Sequence, residues 1–147
     1  MEFAEQLRVE VQRSVAASLA EDIGTGDLTA RLVPASSAAR GRVITREDAV
    51  LCGTAWFEAA FRKVDPACRI TWHAQDGDRV QPNQLLCDIA GPARALLTAE
   101  RTGLNFLQLL SGVATRTRRF VDTVAGTRAR IVDTRKTLPG LDRKSVV

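Results

Sequence analysis

Apolar residues recur at every fourth position from Leu7 through Val11 and Val15 to Leu19, with charged and polar residues between them. This spacing predicts an amphipathic helix over residues 5–21. Asp22-Ile-Gly-Thr-Gly-Asp-Leu-Thr29 follows, and its glycines and aspartates predict a structured loop. A phosphate cradle would need a preceding strand and a Lys, which this loop lacks, so a turn is the better reading. Residues 40–45 and 49–51 read as strands around an exposed Arg46-Glu47-Asp48 turn. Thr54–Val64 is a second helix, with Trp56, Ala60 and Val64, then Phe57 and Phe61, on its apolar side. Over residues 68–74, Cys68, Ile70 and Trp72 alternate with Arg69, Thr71 and His73, as in a half-buried strand. The polar face of that strand carries the only histidine of the chain. Its use in catalysis would need an orienting carboxylate or a nucleophile that the sequence does not identify.

Residues 76–89 read as two turns around Val80, then a strand. This pattern resembles the hairpins of biotinyl and lipoyl carrier domains, which hold their cofactor on a Lys at a hairpin tip. Residues 64–135 contain no Lys, so the resemblance is one of shape.

Residues 93–111 begin extended and become a helix, with Thr98 as the predicted N-cap. Leu97, Leu104, Phe106, Leu107 and Leu110 make that helix apolar over much of its circumference, which predicts that it is mostly buried. Glu100 and Arg101 are the charged exceptions. A buried helix seldom keeps an unpaired Arg. Arg101 therefore either pairs with an acid, such as Glu100 of a partner, or faces a cavity that receives an anion, and the sequence leaves both open. Gly112–Ala114 predicts a bend into a further helix, with Phe120, Val121 and Val124 inward, Arg116, Arg118 and Arg119 outward, and Gly126 as its stop. Ile131 and Val132 then read as a short buried strand. Thr134, Arg135 and Lys136 follow at its carboxyl end, where α/β architectures bind ligands. A hydroxyl and adjacent cations suit an acidic small molecule: Arg grips a carboxylate with two parallel hydrogen bonds, and Lys adds a point charge.

Composition narrows the picture. A chain of 147 residues with 45% hydrophobic and 26% charged positions is in the globular range. Its apolar runs are far too short for a membrane span, and its acidic first residues resemble neither a signal nor a transit peptide. A cytoplasmic location and no membrane partner are expected. Cys52, Cys68 and Cys87 form no CxxC pair, so buried free thiols are expected rather than a zinc site. Charge is uneven: residues 1–93 hold 10 Lys+Arg against 13 Asp+Glu, a net of −3, and residues 94–147 hold 11 against 4, a net of +7. That basic segment has only Phe106 and Phe120 as aromatics, both at core-like helical positions, which argues against a nucleic-acid partner.

Leu97-Thr-Ala-Glu-Arg-Thr-Gly-Leu-Asn-Phe-Leu-Gln108, Leu110-Ser-Gly-Val-Ala-Thr115 and Asp133-Thr-Arg-Lys-Thr-Leu-Pro-Gly140 resemble the signature stretches of the quinolinate phosphoribosyltransferases. These enzymes are also called carboxylating nicotinate-nucleotide pyrophosphorylases. Asp22–Thr29 and Asp76–Ile89 are similar to the family's N-terminal domain. The resemblance implies an α+β chain: an open, sandwich-like α/β N-terminal domain over residues 1–110, then a helical connection. Residues 111–141 would begin a truncated C-terminal α/β barrel whose first strand is Ile131–Asp133. Asp142–Val147 resembles a translated sequencing adapter and is expected to be a non-native tail.

The activity implied is phosphoribosyl transfer from phosphoribosyl pyrophosphate, with Mg²⁺, to quinolinate. Decarboxylation then gives nicotinate mononucleotide, pyrophosphate and CO2, a step of NAD biosynthesis. Arg101 matches the arginine that one subunit of a homodimer supplies to its neighbour's site, and Thr134, Arg135 and Lys136 match quinolinate contacts. The ligands of Mg²⁺ and phosphoribosyl pyrophosphate would lie in the missing barrel, so the chain alone is expected to be inactive. A molybdenum-transport-associated relative shares the fold and an Arg-Lys-Thr-like stretch, but Glu100-Arg101-Thr102 and Asn105-Phe106 favour the NAD enzyme. A non-catalytic binding module of biotinyl-like shape is the alternative from another class.

Overall fold

The helix over Thr54–Val64 is buried on two sides, and the rest of the chain is layered around it. In a computed structural model, which describes residues 2–24, 26–132 and 134, the elements run α1 (Glu2–Ile23), α2 (Leu28–Arg31), β1 (Ala38–Ile44), β2 (Ala49–Val50) and α3 (Thr54–Val64). They continue as β3 (Arg69–Trp72), β4 (Arg79–Val80), β5 (Leu85–Pro92) and α4 (Ala93–Thr123). Strands β1, β5 and β3 form one antiparallel sheet in that order, and β2 pairs with β4 in a second ribbon. Phe57 and Phe61 of α3 pack toward the sheet with Cys87 of β5 and Leu96, Ala99 and Leu107 of α4. Trp56, Ala59 and Ala60 face the other way, onto Val11, Val15 and Leu19 of α1. The layers are therefore sheet, α3 with α4, then α1. Mixed helix and sheet in this arrangement make the chain α+β.

Local chemistry explains the joints. Gly53 precedes α3 with φ +105°, and a Cβ there would lie 2.9 Å from Leu110 of α4, so neither the backbone nor the packing suits a side chain. Gly103 lets α4 approach α3 closely: a Cβ would come within 3.0 Å of the Phe61 ring. The Trp56 indole donates to Ser14 of α1 at 3.0 Å, and the Trp72 indole to Glu58 at 2.9 Å, so the buried Trp56 and the half-buried Trp72 both satisfy their N–H. Ser111 and Thr115, one turn apart on α4, accept the backbone N–H groups of Cys52 and Val50 at 3.0 and 2.8 Å. They cap an edge that β4 alone leaves open. Among the described residues, no helix is long and apolar enough to cross a membrane.

Several expectations change. Residues 40–44 and 49–50 are strands as the pattern implied, and they pair with β5 and β4 respectively. The loop at 22–29 is shorter than expected: α1 runs to Ile23, and Leu28–Arg31 form a helical turn capped by Asp27. Helix α4 starts at Ala93 without an extended lead, so Thr98 lies inside the helix and is not its cap. No break occurs at Gly112–Ala114, because the Ser111 and Thr115 contacts hold that stretch in register, and α4 runs unbroken for 31 residues. It is not mostly buried: Leu109, Val113 and Phe120 are 71, 59 and 52% exposed, since no described element covers the outer side of α4 there. Val121 is likewise exposed rather than inward. Ile131 and Val132 belong to no strand and are exposed, and no strand among the described residues lies beside them to complete their backbone hydrogen bonds. Asp133 lies outside the described residues.

Phe57 is fully buried, with its ring centroid 4.7 Å from that of Phe61 and 5.4 Å from that of Trp72. Phe57→Ala should lower the free energy of unfolding by about 3–5 kcal/mol, the usual cost of such a cavity, read from a urea denaturation curve.

Candidate functional site

Among the described residues, one turn of α4 and the glycine loop before α2 bring a sequence-predicted site residue together with partners. Residues 98, 101, 102 and 105 share one side of α4 by helical periodicity. Arg101 is the exposed cation of this set, with 71% of its side chain accessible. Its Nε forms an ion pair with Asp22 Oδ1 at 2.6 Å. Asp22 sits in the last turn of α1, and its other oxygen lies 3.5 Å from the hydroxyl of Thr102, which is 4% exposed. Of the two alternatives left open for Arg101, an acid partner is thus present, but it is Asp22 of the same chain rather than Glu100 of another.

Asp27 completes the arrangement. Its Oδ1 accepts the Ala30 amide at 3.0 Å, capping α2, and its Oδ2 accepts the Thr98 hydroxyl at 2.9 Å. The Ala30 amide above all, then Thr98, and more weakly the Arg101 charge, hold the Asp27 carboxyl below the usual carboxylate range. Gly26, between the two aspartates, has φ +138° and donates to Ile23 O at 2.8 Å, which turns the chain sharply enough for both carboxylates to reach α4. A shallow depression lined by Ser18, Glu21, Asp22, Arg101, Asn105 and Phe106 adjoins the guanidinium. Such an arrangement offers a partly oriented guanidinium at the surface, able to meet a carboxylate or phosphate.

The other candidates are placed differently. Thr134 is exposed, past the end of α4, and Arg135 and Lys136 lie outside the described residues. The half-site read at Thr134–Lys136 is therefore not joined to Arg101 among the described residues. His73 has a carboxylate that the sequence did not identify: its Nε2 is 2.6 Å from Asp88 Oδ2. That pairing depends on the register of β3 against β5, which sets Thr71 opposite Asp88. The three thiols are free and burial pushes each of them up, Cys87 to about 12, so none is an activated nucleophile. Among the described residues, no group of His, Cys, Asp and Glu could hold a metal ion. Asp22 and Asp27 are the members of this cluster that sequence reasoning missed, although their flanking of two glycines was the visible signal.

Comparison with known proteins supplies the wider frame. Residues 27–111 match the family described as quinolinate phosphoribosyl transferase, N-terminal domain, and residues 113–145 match its C-terminal domain. The chain is 42% identical over 131 residues to a carboxylating nicotinate-nucleotide pyrophosphorylase of Mycobacterium leprae, covering 84% of this chain and 45% of that protein. It is 37% identical over 126 residues to the mitochondrial, decarboxylating quinolinate phosphoribosyltransferase 2a of Nicotiana tabacum, covering 84% of this chain and 35% of the relative. Among solved structures, the nicotinate-nucleotide pyrophosphorylase from Francisella tularensis superposes with a TM-score of 0.87 at 41% identity, covering 90% of this chain and 48% of that one. The chain thus spans less than half the length of these relatives.

Because Asp27 is depressed in the fold, its contribution to stability is present above the ordinary carboxylate pKa of about 3.9 and is lost as pH falls through its lower folded value. Asp27→Asn should therefore flatten the acid limb of a stability-versus-pH profile and leave the neutral region less stable. A thermal melt series from pH 2 to pH 7, taken as a range of about five units, checks both.

Proposed function

The chain belongs to the quinolinate phosphoribosyltransferase family, and we propose that it is the N-terminal part of an enzyme that makes nicotinate mononucleotide from quinolinate and phosphoribosyl pyrophosphate. In that reaction the pyridine nitrogen takes the ribosyl carbon from pyrophosphate, the 2-carboxylate leaves as CO2, and a proton from solvent takes up the electron pair left on that ring carbon. Quinolinate carries two carboxylates on neighbouring ring carbons, so its site needs several cations in a desolvated pocket. Arg101, Thr134, Arg135 and Lys136 are the residues of this chain assigned to it. Residues 1–110 would form the N-terminal domain and 111–141 the beginning of the barrel. The natural setting would be the cytoplasm.

The observation that carries this reading is the exposed, carboxylate-oriented guanidinium of Arg101. Its distance from Thr134 along the chain favours a second copy. Arg101 and Thr123 lie on one helix, separated by about 33 Å of axis at the standard rise. Returning from there to Arg101 would need residues 124–134 almost fully extended, roughly 36–40 Å, whereas Thr127 N instead bonds back to Val124 O at 3.1 Å. A homodimer in which each Arg101 serves the other subunit's Thr134–Lys136 meets the same chemical demand without that contortion. When bound, Mg²⁺ would neutralise the pyrophosphate leaving group. The described residues do not fit a metal site, so Mg²⁺ and phosphoribosyl pyrophosphate are assigned to the barrel, and no step is routed through the metal here.

Two outcomes test the proposal. The purified 147-residue chain, given both substrates and Mg²⁺, should form no nicotinate mononucleotide detectable by mass spectrometry, since it spans less than half the length of the relatives it matches. In the full-length enzyme, Arg101→Ala should raise the KM for quinolinate by roughly tenfold to a hundredfold, the loss of a charge-assisted hydrogen bond, with a smaller effect on phosphoribosyl pyrophosphate. An unchanged quinolinate KM would remove Arg101 from the site.

A further inference from the structure

An ion pair on the surface of a protein contributes little to stability when its arginine is mostly solvated. The Asp22–Arg101 pair is of that kind on the arginine side and not on the aspartate side. Arg101 is 71% exposed at its side chain, and Asp22 is only 22% exposed. Asp22 is held from behind: it ends α1, whose Val15 and Leu19 are buried against α3, and its second oxygen approaches the buried Thr102 hydroxyl at 3.5 Å. A fixed carboxylate thus meets a mobile type of side chain, one with several rotatable bonds to restrain.

The atom used is informative. A guanidinium is planar and can be approached along two edges, one containing Nε and the other containing both terminal nitrogens. Asp22 takes Nε at 2.6 Å. An ion pair at that nitrogen restrains where the group sits, and a guanidinium carries further N–H donors with which to receive a second carboxylate. Asp27, fixed by Ala30 and Thr98, holds the same turn of α4 against the loop and adds a second negative charge nearby without bonding to Arg101.

We infer that Asp22 is a positioning residue for Arg101, which holds the guanidinium in place for a carboxylate of quinolinate bound to the neighbouring subunit. The inference rests on the reading of Arg101 given above. A preset cation loses less side-chain entropy on binding, so Asp22 acts on substrate affinity through Arg101 and not on the fold. The opposite role is chemically conceivable, with Asp22 competing against the substrate for the same cation, and it predicts the opposite sign.

A double-mutant cycle in the full-length enzyme separates these. Asp22→Ala should raise the quinolinate KM about tenfold, leave the phosphoribosyl pyrophosphate KM within about twofold, and add less than about twofold when combined with Arg101→Ala. An Asp22→Ala effect that multiplies fully on top of Arg101→Ala, or a quinolinate KM that is unchanged or falls, overturns the inference. If Arg101→Ala itself leaves the quinolinate KM unchanged, the reading of Arg101 fails instead, whatever Asp22 does. Should Asp22→Ala not fold, Asp22→Asn in the 147-residue chain gives an independent readout by NMR. The Arg101 Nε resonance should be shifted in the parent chain and should move to the position of exposed arginines in the variant. An Arg101 Nε–H already indistinguishable from that of Arg116 in the parent chain overturns the inference as well.

Discussion

Helix α4 has to bury one stripe and expose another, and that division fixes the rest of the molecule. Ala95, Leu96, Ala99, Gly103 and Leu107 fall toward α3 and the sheet, where large side chains would not fit against Phe57 and Phe61. The helical period then obliges Leu97, Arg101, Asn105 and Leu109 to face outward. Arg101 is exposed because Gly103 and Ala99 are buried; the packing decides the position of the cation before any ligand is considered. Thr98 and Thr102 lie at the margin of the two stripes, and it is there that the carboxylates of Asp27 and Asp22 meet the helix.

Features that depend on one local period could be read directly. The four-residue spacing of Leu7, Val11, Val15 and Leu19 gave α1 nearly its full course, and the alternation at 68–74 placed Arg69, Thr71 and His73 on the open face of the sheet. Features set by distant partners could not. Whether β1 pairs with β2 or β5 depends on a strand some forty residues later, and a one-residue change in that register would turn every side chain over. The carboxylate beside His73 is invisible for the same reason, since Asp88 becomes its neighbour only across β3 and β5.

Glycine and threonine misled where tertiary contacts override propensity. A Gly inside a helix costs about 1 kcal/mol relative to Ala, which makes Gly112 look like a break. Ser111 and Thr115 on either side of it donate and accept hydrogen bonds to the backbone of residues 50–52, and these contacts exist only if the helix continues. Thr98 has the side chain of an N-cap but spends its hydroxyl on Asp27, leaving Pro92 at the helix start, where its fixed φ suits the position. Phe120 and Val121 were expected inward from their spacing alone. Spacing identifies a face but not what covers it, and no described element covers that one.

The paired aspartates show how an unremarkable turn acquires a role through geometry. In sequence, Asp22 and Asp27 are loop residues around two glycines. In the fold, the positive φ at Gly26 brings both carboxylates to the same helix turn, each with a separate task. Asp27 caps α2 and ties Thr98, so it fixes where the loop sits. Asp22, anchored by the burial of α1, then meets Arg101 in an ion pair at Nε. Position and orientation are therefore supplied by different residues. Such a division suits a cation that must be presented to a ligand outside its own domain. An arginine neutralised along both edges would have little left to offer an anion, and one held along neither would have to be ordered by the substrate itself.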